Sequence, residues 1–123
     1  MGDAVSSYCR ATELDPTFSA GYNNLAVALM TLGNLEEAVQ SLTIAIALQP
    51  EYAEAHNNLG IVLAKLGRPK EAEASYRQAI TLSPAYAAAY CNLGVSLFDL
   101  NDPNAAIDCY RTALSLQPDY AVN

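Results

Sequence analysis

Apolar side chains return along this chain with two rhythms, one nested inside the other. The short rhythm is helical. Leu59, Leu63 and Leu66 stand three and four residues apart, and Leu25, Leu29 and Leu32 repeat that spacing, so each set lies on one helix face. A second kind of stretch follows, in which Ala72, Tyr76 and Ala79 share a face with Ile80 and Leu82 alongside. The first kind of stretch is closed by Gly33, Gly67 or Asn101, residue types that accept the left-handed conformation ending a helix. The second kind is stopped by Pro50, Pro84 or Pro118, which lack a backbone donor and bias the preceding residue away from helix. Pro69 and Pro103 suit the first position of a helix, and Asn34 and Asp102 suit an N-cap. The pattern predicts helix, tight turn, helix, tight turn, with connections of a few residues.

The long rhythm has a period of 34 residues. Prolines stand at 16, 50, 84 and 118. Ala4, Ala38, Ala72 and Ala106 keep step, as do Ala11, Ala45, Ala79 and Ala113 and the series Leu14, Leu48, Leu82 and Leu116. Phe18, Tyr52, Tyr86 and Tyr120 follow the prolines by two, and Asn24, Asn58 and Asn92 are each followed by leucine. Such a period means one helix pair stacked several times. The whole chain, 1–123, reads as a single domain. Its parts are a second-helix half repeat over 4–18, full repeats over 19–52, 53–86 and 87–120, and the start of a missing repeat or cap at 121–123. Without polar terminal caps the ends expose apolar faces. The chain therefore reads as a segment of a longer array, and end-to-end self-association is expected.

Within each unit an aromatic residue, then Leu-Gly or Leu-Ala, open the first helix. Alanine, a large residue and alanine mark the second before a terminal proline. In order these are Tyr22, Leu25-Ala26, Ala38, Leu42, Ala45 and Pro50; then His56, Leu59-Gly60, Ala72, Tyr76, Ala79 and Pro84; then Tyr90, Leu93-Gly94, Ala106, Tyr110, Ala113 and Pro118. This arrangement resembles the tetratricopeptide repeat (TPR), with His56 and Leu42 as departures. The resemblance implies an all-α fold: a right-handed α-solenoid of antiparallel helix pairs, the TPR superhelix, with first helices lining its concave side. It also implies a non-catalytic scaffold or adaptor that binds a protein or peptide partner in that groove.

Composition narrows function further. The net charge is −7 and the pI about 4.4, which disfavours nucleic acid and anionic membranes as partners. Half the residues are apolar (52%), yet no apolar run approaches the ~18 that would span a bilayer. The expected location is cytoplasmic. Cys9, Cys91 and Cys109 form no paired motif, and His56 is the lone histidine, so no metal and no cofactor is expected. No carboxylate and histidine pattern, Ser-His-Asp set or glycine-rich phosphate loop occurs, which argues against an enzyme.

Helical spacing puts Asn23, Val27 and Met30, then Asn57, Ile61 and Lys65, then Cys91, Val95 and Phe98 on the groove face of the first helices. Asn24, Asn58 and Asn92 lie beside them. An asparagine amide donates and accepts, so three on one pitch could hold an extended backbone. They could equally satisfy groups of the neighbouring repeat, and the two roles are compatible. The series, with the stretch Ala-Tyr-Cys-Asn-Leu-Gly over 89–94, is similar to the asparagine ladder of O-linked N-acetylglucosamine transferases. That similarity makes a substrate-recognition arm of a larger glycosyltransferase the alternative reading, beside a self-assembling structural solenoid. The basic clamp with which some TPR grooves grip acidic chaperone tails is missing at Asn23, Val27, Ala88 and Asn92, although Asn58 fits it.

Overall fold

The computed structural model describes residues 18–116, together with Arg10. Most of the half repeat expected at 4–18, the repeat positions Pro118 and Tyr120, and the repeat start or cap expected at 121–123 lie outside the described residues. Six helices follow one another among the rest, with no strand: α1 (Ser19–Thr31), α2 (Leu35–Leu48), α3 (Ala53–Lys65), α4 (Pro69–Leu82), α5 (Ala87–Asp99) and α6 (Pro103–Leu116). Each packs on its chain neighbours, giving an all-α repeat solenoid.

The turns form as their residues dictate. Gly33, Gly67 and Asn101 have φ of 83°, 78° and 65°, the left-handed values that end a first helix. The Gly33 N–H donates to Met30 O at 3.0 Å and the Asn34 N–H to Leu29 O at 2.9 Å, and the same pair of bonds recurs after α3 and α5. Asp102 caps α6 by accepting from the Ala105 N–H at 3.3 Å. Asn34, expected to cap α2, makes no side-chain cap bond. The second helices end where proline intervenes, with a last bond from Gln49 N–H to Ala45 O and from Ser83 N–H to Ala79 O, each 2.9 Å.

The core follows the repeat. Ala38, Ala72 and Ala106 are buried, as are Ala45, Ala79 and Ala113, and their small size lets helices approach closely. Leu42 and Tyr76 fill the space between. Of the leucines that repeat along the first helices, Leu25, Leu29, Leu63, Leu93 and Leu97 are buried, Leu59, Leu66 and Leu100 are half-buried, and Leu32 is 40% exposed. Leu32, Leu66 and Leu100 are the C-caps of the three first helices, and Leu66 packs against the core from that position. Tyr110, equivalent to Tyr76, is also exposed, because no described helix covers its side of α6.

The stack curves. α1 packs on α3 and α3 on α5, whereas the second helices make no comparable contact with one another. The closer spacing of the first helices places them on the inner side.

Candidate functional site: the inner face of the first helices

The asparagines of the inner face fall into two sets with different surroundings. Asn23 and Asn57, expected to face a ligand, are buried at 1% and 5% exposure. Each sits at the junction with the following repeat, where the next first helix covers it. Asn58 Nδ2 donates to Asn23 Oδ1 at 3.0 Å, and Asn92 Nδ2 donates to Asn57 Oδ1 at 3.1 Å. The asparagine series is thus an inter-repeat ladder, each rung joining positions 35 residues apart. Each rung spends one amide hydrogen of Asn58 or Asn92. Asn58 and Asn92 are both half-buried, so part of each side chain faces solvent. Asn24 is exposed and makes no such rung among the described residues.

The other expected residues divide by exposure. Val27, Val95 and Phe98 are exposed apolar side chains, Phe98 at 62%. Lys65 is exposed as well. Met30 and Ile61 are half-buried and pack against the core from the inner side. Cys91 takes the ladder position held by Asn23 and Asn57; it is half-buried, and burial pushes its thiol up from the ordinary 9.0. Burial likewise raises the Cys109 thiol, with Arg77 opposing and Asp108 and Glu73 adding to the rise. Neither cysteine is poised as a thiolate nucleophile.

One inner-face residue has no counterpart in that expectation. Asn23 Nδ2 reaches Glu54 Oε1 at 3.4 Å, so the buried amide links the Glu54 carboxylate to Asn58. Burial pushes the Tyr52 hydroxyl up, the Glu54 charge beside it adds to the rise, and the Asn23 side chain offsets part. Glu54 forms no ion pair among the described residues, where the one such pair is Arg77 with Glu73 at 2.8 Å on α4. The signal was present in the sequence: Glu54 interrupts a column that is otherwise Ala20 and Ala88. Next to Glu54 lies an open hollow of about 460 Å3, lined by Ala53, Ser83, Ala85, Tyr86, Ala87 and Ala88.

Among the described residues no group of three histidine, cysteine or acidic side chains could hold a metal ion. No described helix is long and apolar enough to cross a membrane.

Helix pairs on a 34-residue pitch, left-handed turns closing the first helices and an inner face of polar rungs define a helical-repeat solenoid. Tetratricopeptide-repeat profiles match residues 23–87 and 87–120, and the chain belongs to the tetratricopeptide-repeat family. Among solved structures it is similar to MamA, with 27% identity and a TM-score of 0.88 over 99% of this chain and 71% of that one. A thermophilic TPR protein in Thermus thermophilus matches at 27% identity and TM-score 0.88, over 97% of this chain and 66% of that one. The second TPR of Spaghetti (RPAP3), bound to the HSP90 peptide SRMEEVD, matches at 25% identity and TM-score 0.79, over 80% and 92%. A comparison with curated proteins gives no match.

Proposed function

We propose that the chain is a non-catalytic interaction module whose inner face binds an extended peptide segment of a protein partner. The observation that supports this reading is the pair of half-spent amides, Asn58 and Asn92. They lie one repeat apart, half-buried, on the helix face that also carries the exposed apolar side chains Val27, Val95 and Phe98. Amides meet a peptide backbone without demanding a sequence, and the apolar side chains add area that water leaves on binding. Binding of a peptide by a TPR of similar fold is consistent with this use of the face.

An acidic chaperone-type tail is a poor fit. The inner face carries Glu54 and Asp99 against Lys65, and a ligand carboxylate held there would lack compensating cations. The same asparagine series would serve equally in a substrate-selecting arm of a larger glycosyltransferase. That arm would use the face in the same way.

Peptide display on the chain, followed by affinity measurement on single variants, tests the reading. Phe98→Ser and Val95→Asp alter exposed residues and leave the ladder whole. Each is expected to weaken a selected peptide at least tenfold, while Gln78→Ala on α4 leaves it unchanged. Selected peptides that bind all of these variants alike would place the binding surface elsewhere.

A second interaction is supported by α6. Ile107, Tyr110 and Leu114 form an exposed apolar face at spacings of three and four residues. The equivalent face of α4 is covered by α5, which buries Tyr76. A second copy of this chain, stacking as a further repeat would, is the occupant we assign to it.

A further inference from the structure

We propose that the inner face selects a peptide carrying a lysine or arginine, whose side chain enters the hollow beside Glu54 while its backbone lies along Asn58 and Asn92. This rests on the peptide-binding reading above and names the class of ligand.

The hollow exists because one junction departs from the repeat. At the first junction Ser19 Oγ donates to Gln49 Oε1 at 2.7 Å, and this pair bridges α1 to the end of α2. One repeat later the equivalent residues are Ala53 and Ser83. Both are too short to bridge, and the space opens into the hollow of about 460 Å3. That volume lies within the roughly 300–1,000 Å3 typical of small-ligand sites. Ala88 then stands where Glu54 stands one repeat earlier, which leaves the far wall bare of charge.

The chemistry of the hollow is one-sided. Its one charged lining residue is Glu54, exposed and without a cationic partner among the described residues. Asn23 Nδ2 touches Oε1 alone, so Oε2 is left to meet a ligand. The alanines and the Tyr86 ring would flank the aliphatic stem of a long cationic side chain, which buries its methylenes and keeps its charge at the carboxylate. A net charge of −7 steers the same class of segment toward the protein.

The register also fits. Glu54 and Asn58 stand four residues apart on α3, and Ala88 and Asn92 four apart on α5, so each pair shares one helix face. The hollow therefore lies one helical turn, about 5.4 Å, from the Asn58 and Asn92 side chains. An extended chain rises about 3.4 Å per residue, so a backbone held by the amides can reach the hollow with the side chain of a nearby residue.

The test is a randomised peptide display on the full chain, with the selected peptides re-measured on three variants: Glu54→Gln, Glu54→Lys and the double variant Ala53→Ser with Ser83→Gln. The expected result is lysine or arginine enriched at one peptide position. Affinity should fall about tenfold in Glu54→Gln, and the preference should turn to acidic residues in Glu54→Lys. The double variant rebuilds the Ser19 and Gln49 bridge, keeps the charge and fills the space; it too should lose the preference. Circular dichroism confirms the fold of each variant. Peptides enriched without a basic position, or indifferent to all three variants, would overturn this proposal and leave the peptide-binding reading standing. Enrichment of no peptide at all would overturn both.

Discussion

The ring of Tyr76 occupies the place that a β-carbon on Gly60 would take. Built there, that carbon would lie 2.6 Å from Cδ1 and 2.8 Å from Cζ of the ring. The first repeat solves the same contact differently, with Ala26 facing the smaller Leu42. Tyr76 is 2% exposed and cannot swing aside. Gly60→Ala is therefore expected to destabilise the fold by about 1–3 kcal/mol through overpacking, despite the better helix propensity of alanine. Adding Tyr76→Leu, which recreates the Ala26 and Leu42 pair, should recover part of the loss. The equivalent Gly94 faces Tyr110, whose ring is exposed and free to move, so Gly94→Ala should cost much less. Urea unfolding of the variants checks the order.

The ladder makes a different prediction for residues that look alike in sequence. Asn57→Ala removes the acceptor of Asn92 at a buried position and should cost about 1–2 kcal/mol. Asn24→Ala removes an exposed amide without a rung and should change stability by less than about 0.5 kcal/mol. Equal costs at the two positions would remove the ladder's structural role.

The contrast between Asn24 and Asn57 marks how far the sequence could be read. Helices, turns and the alanine columns were legible because each rests on local rules: a helical period, left-handed Gly33, Gly67 and Asn101, and the stop at proline. The burial of Asn23 and Asn57 was not, because it depends on how closely the next first helix approaches, and no spacing within one repeat records that. The hollow is set by two unremarkable residues, Ala53 and Ser83, that matter only because Ser19 and Gln49 bridge the corresponding space.

Ser96 offers a stabilising change. It is 1% exposed and its Oγ has no hydrogen-bond partner. Val62, apolar and buried, holds the equivalent position one repeat earlier. Removing the unpaired hydroxyl by Ser96→Ala should stabilise the fold by about 1 kcal/mol. A loss of stability in thermal unfolding would mean that the hydroxyl has a partner in solution.

Alkaline pH should unfold the protein partly through Tyr76. Burial pushes its hydroxyl from the ordinary 10.0 up to about 12. The folded state favours the neutral phenol, so this contribution is fully present below pH 10 and is lost as pH rises through about 12. The shift corresponds to about 2–3 kcal/mol at most. Tyr52, Tyr110, Cys91 and Cys109 are raised as well and act in the same direction. The part due to Tyr76 is isolated by comparison with Tyr76→Phe, whose stability should fall less between pH 10 and 12. Identical pH profiles would mean that the Tyr76 hydroxyl is hydrated in the folded state.

The exposed face of α6 leads to the last prediction. Ile107, Tyr110 and Leu114 are 47%, 36% and 42% exposed, whereas Tyr76 beneath α5 is almost wholly buried. Covering such a face is favourable by roughly 25 cal/mol for each Å2 of apolar surface removed from water. A copy stacked there would bury it as α5 buries the face of α4. Such a contact would be heterologous, would leave each pair with an open end, and should give a concentration-dependent series rather than a closed dimer. Sedimentation velocity over a wide concentration range should show this growth in the wild-type chain. The double variant Ile107→Lys with Leu114→Glu should run as a monomer with unchanged helix content. A wild-type chain that remains monomeric at the highest concentrations would remove self-association and leave the inner groove as the remaining interaction surface proposed for this chain.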